Sequence, residues 1–294
     1  MDPIRVVARR GSFVESEHRV HAVAVQEGKV VAAAGDAAVL ASLRSSAKPF
    51  QALPLVRSRD DLDEADIAIA SASHRAEPEQ IEAVRRLLAK APATEADLEV
   101  GLQAGRPGEP IYHNCSGKHA GMLATCRARG WVTEGYRLAG HPLQDEILAE
   151  VSEAAGATPE TAVDGCGVVC FALPLEQVAL IFSRLEEREG GAQVVAAMRA
   201  QPQIVGGAGQ PDTELMRTLP GWAAKGGAEG LFCAAGPDGL GVAVKSQDGA
   251  FRAIRPALAA FFGSLGHELG DAFAHVPVRN SRGEDVGELF VATS

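Results

Sequence analysis

The chain has 294 residues, of which 38 are acidic and 28 are basic, giving a net charge of −10 at neutral pH. This acidic balance argues against a nucleic-acid partner and against an anionic membrane surface. No apolar run is long enough to span a bilayer, and the N-terminal segment lacks the apolar stretch of a signal peptide. We therefore expect a soluble cytoplasmic protein with no nucleic-acid or membrane partner.

The length suits one large domain or two small ones, and we expect a single domain over residues 1–294 with a possible helical sub-region around 116–200. Hydrophobic residues make up 46% of the chain and aromatic residues only 5%, so the core is built mainly from Ala, Val and Leu. The five cysteines are an odd number. In a cytoplasmic chain this favours free thiols or metal ligands over a disulfide framework.

The front of the chain predicts a hairpin followed by a helix. Residues His18–Gln26 and Lys29–Ala34 are rich in β-forming residues and are separated by a Glu-Gly turn. Ser45–Val56 is predicted as a helix, and Pro49 is compatible with it because a proline is tolerated in the first turn. The short apolar run Asp66–Ala70 is predicted as a buried strand.

The middle of the chain is predominantly helical in pattern. A helix is predicted from Pro78 to Ala91, with apolar residues on one face, and a Gly/Pro-rich loop follows at 101–110. Further helices are predicted over Ser116–Arg129, where the next residue is a glycine, and over Pro142–Ala155.

The last third mixes helices and strands, and it ends in a strand that can pair with the N-terminal hairpin. This order predicts an α+β fold with α/β layering, in which an antiparallel sheet packs against helices. The predicted helices are Leu173–Glu187, Ala192–Arg199 and Ala253–Leu269, and the predicted strands are Leu231–Ala234, Leu240–Lys245 and Val286–Thr293.

The first candidate for chemistry is Ser45-x-x-Lys48. On a helix, residues three apart share a face, so the amine can take the serine proton if burial or a nearby positive charge lowers its pKa. Ser73 and Lys245-Ser246 follow in the order that penicillin-binding proteins and serine β-lactamases use. The spacings differ, and the middle motif is not Ser-Asp-Asn. Alternatively, Ser73 is a turn serine and Lys245 a solvated strand lysine.

The second candidate combines Cys115-x-x-Lys118-His119 with Asp164-Gly165-Cys166. Two cysteines in glycine-flanked loops can converge on a soft divalent metal such as zinc, and a lysine beside a thiol lowers its pKa. The alternative is that both are small buried residues. Cys126, Cys170 and Cys233 stand in apolar surroundings and are predicted to lie in the core.

Taken together, the motifs resemble the L-asparaginase II family of the rhizobial, thermolabile type, over nearly the whole chain. The eleven residues H-N-C-S-G-K-H-A-G-M-L at 113–123 are the most specific part. The other segments are Glu15-Ser16-x-His18, R-S-S-A-K-P-F-Q-A-L-P at 44–54, Ala72-Ser73-His74 with Glu77, Gly140-His141-Pro142, Asp164-Gly165-Cys166-Gly167 and Lys225-Gly226-Gly227-Ala228-Glu229-Gly230.

The resemblance implies a homodimer with a fold similar to serine β-lactamases and glutaminases, hydrolysing L-asparagine to L-aspartate and ammonia. It implies two catalytic Ser–Lys pairs, with the nucleophile open between the two serines. It also implies a zinc site that the nucleophile itself does not require. Carried over, the catalytic pairs are Ser45/Lys48 and Ser73/Lys245, the metal ligands are Cys115, Lys118 and Cys166, and the substrate-binding residues are Arg44, Asp164 and His119.

Two departures from the family pattern concern loops. Val169-Cys170 stands where a proline is frequent, and Gln210 stands where a basic residue is expected. Two other functions stay open at this stage. One is a hydrolase of the same fold acting on glutamine or a β-lactam, and the other is a non-catalytic zinc-binding homologue.

Overall fold

The computed structural model describes residues 2–292. The strands in this range are β1 (Ile4–Arg10), β2 (Phe13–Gln26), β3 (Lys29–Ala34), β4 (Leu40–Ser42), β5 (Glu160–Val163), β6 (Val169–Pro174), β7 (Ala223–Gly226), β8 (Leu231–Ala235), β9 (Gly241–Ser246), β10 (Val276–Arg279) and β11 (Asp285–Val291). The α-helices are α1 (Lys48–Gln51), α2 (Leu53–Ser58), α3 (Glu64–Ala70), α4 (Pro78–Lys90), α5 (Ser116–Arg129), α6 (Pro142–Ala155), α7 (Leu175–Ser183), α8 (Gly191–Ala200), α9 (Pro202–Gly206), α10 (Pro211–Thr218), α11 (Ile254–Ser264) and α12 (Asp271–Ala274).

An eight-stranded antiparallel sheet runs in the order β10-β11-β1-β2-β9-β8-β7, and β3 also pairs with β2. A separate three-stranded sheet has the order β4-β6-β5. The predicted C-terminal strand is β11, and it lies in the same antiparallel sheet as the β2–β3 hairpin, but its direct partner is β1, which the sequence analysis did not predict. The predicted strand extended to Thr293, which lies outside the described residues.

Helices α7 and α11 pack against the large sheet, while α2, α3 and α4 pack around α5. The contact between α7 and the sheet is very close at Gly241, where an added Cβ would lie 2.1 Å from the carbonyl oxygen of Ala179. A side chain at this position would push the helix off the strand. No helix in residues 2–292 has the length and apolarity that crossing a membrane would require.

Helices α5 and α6 have the predicted bounds, and each ends at a glycine in the left-handed region. Gly130 has φ 67° and Gly156 has φ 66°. A residue without Cβ adopts this conformation at little cost and so ends a helix there. The hairpin of β2 and β3 also forms as predicted.

Residues Asp66–Ala70 form most of helix α3, so the prediction of a buried strand was wrong. Asp63 accepts a hydrogen bond from the backbone N–H of Asp66, whose own carboxylate accepts one from the backbone N–H of Asp63. This capping box starts a helix. The buried Asp66 also pairs with Lys90 and Arg86 from α4, which fixes the orientation of the helix.

The predicted helix Ser45–Val56 is divided into a 3-10 turn at Arg44–Ala47 followed by α1 and α2. Pro49 and Pro54 each stand in a first helical turn, where a proline is tolerated. This short, broken segment fixes where Ser45 and Lys48 point.

Candidate active site

Both candidate serines line one cavity of about 240 Å³. Its walls come from the Arg44–Ala47 turn, the loop after α3, the loop before α5 and the β7–β8 turn. The lining residues are Ser45, Ser73, His74, Arg75, Gln103, Arg106, Asn114, Gly206, Gln210, Asp212, Lys225, Gly226, Gly227, Ala228 and Phe251.

Lys48 is fully buried behind this cavity and contacts Ser73. Its Nζ donates to the hydroxyl of Ser73 at 2.9 Å and to the carbonyl oxygen of Ala72 at 2.6 Å. No hydrogen bond joins Lys48 to Ser45 within residues 2–292. Lys48 therefore pairs with Ser73 and not, as predicted, with Ser45, because the 3-10 turn directs its amine toward the loop that carries Ser73.

The Lys48 amine is adjusted to act as a base near neutral pH. Burial lowers the pKa of Lys48 to about 8, the thiol of Cys115 acts in the opposite direction, and the charges of Lys225 and Lys118 lower it further. A buried amine with this pKa holds a useful neutral fraction at pH 7. The Lys48–Ser73 contact thus joins a proton acceptor to a hydroxyl at the cavity wall.

The second lysine of the cavity is Lys225 rather than Lys245. Lys225 is buried on β7, and its Nζ lies 3.2 Å from Oδ2 of Asp212 and 3.0 Å from the carbonyl oxygen of Gly226. Lys245 lies on β9, where its Nζ donates to the carbonyl oxygen of Ser246. The sequence predicted that Lys245 approaches Ser73, but the structure places Lys225 at the cavity and Lys245 outside it.

Sequence reasoning missed the role of Lys225 although it begins the Lys-Gly-Gly-Ala-Glu-Gly segment. The glycines that follow were the available signal. An added Cβ at Gly227 would lie 2.8 Å from the hydroxyl of Ser46 and 3.0 Å from the carbonyl oxygen of Leu43. Glycine at this position therefore allows the end of β7 to approach the 3-10 turn that carries Ser45.

The three predicted metal ligands are brought together. Lys118 donates to Sγ of Cys166 at 3.0 Å. A hydrogen bond from Cys166 lowers the pKa of Cys115 well below its usual range, and the same bond raises the pKa of Cys166. The two thiols therefore influence each other's ionisation, and the Lys118 amine lies beside Cys166.

His119 lies deeper in the same cluster. Its Nδ1 is 2.7 Å from the hydroxyl of Tyr136, which also accepts the backbone N–H of Glu99 at 2.9 Å. The tyrosine hydroxyl therefore donates its hydrogen bond to Nδ1 of His119, and the ring hydrogen of the neutral imidazole is on Nε2. Burial lowers the pKa of His119 to about 4, so the ring is neutral, and its Nε2 has no hydrogen-bond partner within residues 2–292.

Two buried thiols in mutual contact are a donor set that fits a soft cation such as zinc. Within residues 2–292 no group of three or more His, Cys, Asp or Glu side chains is arranged to hold a metal. A third protein ligand would therefore come from Lys118. The neighbouring thiols of Cys115 and Cys166 raise the pKa of Lys118 against the effect of burial, so metal binding would have to displace its proton.

None of the three predicted substrate-binding residues, Arg44, Asp164 and His119, lines the cavity. Arg44 donates through Nε to Oδ1 of Asp164, and the second oxygen of Asp164 lies 3.6 Å from Sγ of Cys166. Arg44 and Asp164 thus connect the thiol loop to the turn that carries Ser45. Asp164 holds a pKa below its usual value, because Lys118 and Arg44 outweigh its burial.

Three of the six non-glycine residues with positive φ within residues 2–292 directly adjoin residues of the cavity wall in the sequence. Arg44, Ala76 and Glu229 have φ of 43°, 61° and 54°, in the left-handed region that disfavours side chains with Cβ. Each such residue costs on the order of 1–3 kcal/mol, and such residues cluster at functional sites. Arg44 directly precedes Ser45, so strain and the candidate nucleophile share one turn.

The sequence profile of the L-asparaginase II family matches residues 6–291. The chain belongs to the L-asparaginase II family. The resemblance expected from the motifs is thereby confirmed, and membership in this family supports an amidohydrolase acting on a small-molecule amide. No curated protein sequence matches the chain as a relative.

Solved structures of a protein named Mglu share the fold. Mglu in its glutamate form matches at 16% identity with a TM-score of 0.51, covering 87% of this chain and 63% of Mglu. A second Mglu structure matches at 16% identity with a TM-score of 0.50, covering 87% and 69%. The chain thus spans about two thirds of the length of these proteins.

A probable glutaminase from Bacillus subtilis, complexed with 6-diazo-5-oxo-L-norleucine, matches at 12% identity with a TM-score of 0.45, covering 85% of each chain. The prediction that an antiparallel sheet packs with helices is confirmed, and the Mglu structures share this fold.

Proposed function

We propose that this member of the L-asparaginase II family hydrolyses L-asparagine to L-aspartate and ammonia through a serine ester intermediate. The observation that carries the proposal is the contact of Lys48 with Ser73 at 2.9 Å, because it joins an amine of lowered pKa to a cavity that also holds Ser45. The family match favours asparagine as the amide.

Acylation begins with attack by a serine oxygen on the side-chain carboxamide carbon. We assign the attack to Ser45, which follows the strained residue Arg44 and makes no side-chain hydrogen bond within residues 2–292. Its proton passes through the Ser73 hydroxyl to the neutral Lys48 amine. Backbone N–H groups at the start of the turn would stabilise the oxyanion.

Collapse of the tetrahedral intermediate breaks the C–N bond. Lys48, now protonated, returns its proton through Ser73 to the departing nitrogen, so the leaving group is ammonia. Water then attacks the aspartyl ester, Lys48 accepts a proton from it, and the ester bond breaks with return of a proton to Ser45. The products are L-aspartate and free enzyme.

Lys225 supports this cycle without taking part in proton transfer. Its charge faces Asp212 at 3.2 Å and contributes to the lowered pKa of Lys48. We further propose that Cys115, Cys166 and Lys118 hold zinc. When bound, zinc would supply a positive charge that fixes the two cysteine loops.

The test measures ammonia release from L-asparagine and L-glutamine, and the absorbance change of a chromogenic β-lactam, for the purified protein and for Ser45→Ala, Ser73→Ala and the control Ser152→Ala on helix α6, outside the cavity. We expect preference for asparagine, loss of at least about 100-fold in kcat for Ser45→Ala and Ser73→Ala, and unchanged turnover for the control. Near-normal turnover in both cavity variants would refute the mechanism.

The same panel separates the remaining alternatives. Preference for glutamine or for the lactam would change the proposed substrate and leave the proposed site unchanged. A folded protein that binds zinc but hydrolyses none of the three substrates would support the non-catalytic homologue. The homodimer and the cytoplasmic location stay predictions. Sedimentation of the purified protein and fractionation of the source cells would test them.

A further inference from the structure

Two arginines on the cavity wall have no acidic partner. Arg75 follows the Ser73 loop, and Arg106 lies on the Gly/Pro-rich loop before α5. Arg106 donates through Nη1 to the backbone carbonyl of Arg75, which holds its guanidinium against the loop that carries Ser73. Neither arginine forms an ion pair in the part of the chain between residues 2 and 292.

The pair is held in place by the surrounding backbone. The N–H of Arg75 donates to the side-chain oxygen of Gln80 at 2.8 Å, and the next residue has the strained left-handed backbone described above. The stem of Arg75 fills the space beside Gly207, where an added Cβ would lie 2.6 Å from its Cγ. The stem of Arg75 is therefore held at the cavity wall.

The charge balance of the cavity favours an anion. Burial and the neighbouring charge of Arg75 lower the pKa of Arg106, as expected for two like charges that lie close together. The one acid on the cavity wall, Asp212, already faces the buried Lys225 at 3.2 Å. In a chain of net charge −10, two adjacent arginines without carboxylates are a local excess that a bound carboxylate would neutralise.

We propose that Arg75 and Arg106 bind the α-carboxylate of the substrate, so that the enzyme selects free amino-acid amides over amides whose α-carboxyl group is blocked. Planar guanidinium groups match the two oxygens of a carboxylate, and a pair of them fixes its orientation. This assignment rests on the proposed function in one respect, namely that the same cavity holds the reacting amide.

The experiment compares L-asparagine with L-asparagine methyl ester, in which the α-carboxylate is blocked and the side-chain amide is retained. The variants are Arg106→Gln and Arg75→Gln, with Arg282→Gln as a control at an exposed arginine far along the chain. On L-asparagine we expect KM to rise about 10- to 100-fold in each cavity variant, with kcat changing less than about threefold. On the methyl ester, KM of the wild type is already high and the same variants change it less than about twofold.

Three results would overturn the assignment. One is an unchanged KM for L-asparagine in both cavity variants, the second is an equal loss on both substrates, and the third is a fall in kcat without a rise in KM. Arg106→Lys refines the test, because it retains the charge and loses the planar fork. We expect it to recover only part of the affinity.

A binding measurement separates failure of this assignment from failure of the proposed function. L-aspartate and its dimethyl ester are titrated into wild type and Arg106→Gln by calorimetry. If the wild type releases no ammonia but binds L-aspartate, and the variant does not, the carboxylate site stands and the amidase proposal fails. If the wild type is active but binds the acid and the diester equally, the carboxylate site is refuted and the amidase proposal stands.

Discussion

Replacing Lys48 by methionine tests the central claim that this amine is the base. Lys48 donates to the Ser73 hydroxyl and to the carbonyl oxygen of Ala72, and its side chain is fully buried. Methionine has a similar length and requires no solvation, so the fold should tolerate it. The variant removes the proton acceptor and leaves both cavity serines in place.

The expected size of the effect follows from the lowered pKa of Lys48. A pKa of about 8 leaves about one amine in ten neutral at pH 7, whereas the usual value of 10.5 would leave about one in three thousand. Burial therefore enriches the neutral base about 300-fold, which corresponds to about 3 kcal/mol. Without the base, kcat/KM should fall about 100- to 10,000-fold.

The dependence of kcat/KM on pH tests which protonation state of Lys48 is active. Because the reaction needs the neutral amine, kcat/KM should rise about tenfold per pH unit below the pKa of Lys48 and level off above about pH 8. Ammonia release would be followed from pH 6 to pH 10 on wild type, Lys48→Met and Lys245→Met, with far-UV circular dichroism as a check of folding.

Lys245→Met is the matched control, since its Nζ contacts the carbonyl oxygen of Ser246 outside the cavity. We expect it to stay within about threefold of the wild type and to keep the same pH midpoint. A flat wild-type profile, a midpoint above pH 10, or a Lys48→Met variant within tenfold of the wild type would refute the reasoning.

Three further predictions concern the metal site, the strained backbone and a buried ion pair. Cys115→Ser should lose bound zinc, measured by elemental analysis, whereas Cys126→Ser, at a buried core thiol, should retain it; equal zinc in both would remove the site. Ala76→Gly should raise the free energy of unfolding in urea by about 1 kcal/mol, because glycine adopts φ 61° freely, and no gain would mean the backbone there is relaxed. Asp66→Asn should lower it by about 3 kcal/mol, because Lys90, which lies 2.6 Å from the carboxylate, loses its partner; a loss below about 1 kcal/mol would show that the pair is solvated.

The sequence predicted helices well where local signals and burial agree. Helix α5 runs from Ser116 to Arg129 as expected, because an apolar face leads to Gly130, and α6 behaves likewise. The run Asp66–Ala70 misled, because five apolar-rich residues suit a strand or a buried helix turn equally. The deciding groups were Asp63, which caps the helix, and the cations of α4, which are brought close only by the fold.

The assignment of the second lysine failed for a topological reason. Lys225 pairs across β7 with Cys233, which pairs with Ala243 on β9, so Lys245 lies on the same face of the sheet. It stands two strands away, about 10 Å, and two residues further along, about 7 Å. A sequence gives no strand order, so it cannot tell which of two lysines on a face borders the cavity.

The surroundings of the three buried lysines support the proposal that only Lys48 acts as a base. Lys48, Lys118 and Lys225 are 0%, 2% and 0% exposed. Lys118 lies 3.0 Å from the Cys166 sulfur, and the thiols of Cys115 and Cys166 raise its pKa against the effect of burial. Lys225 lies 3.2 Å from an Asp212 oxygen, with which it forms an ion pair.

Lys48 is the exception within residues 2–292, because its hydrogen-bond partners are two carbonyl oxygens and the Ser73 hydroxyl. Lys48 has no carboxylate partner among the described residues, so burial outweighs the opposing effect of Cys115, and the charges of Lys225 and Lys118 lower the pKa of Lys48 further. These two amines therefore help to hold Lys48 ready to accept the proton of a serine.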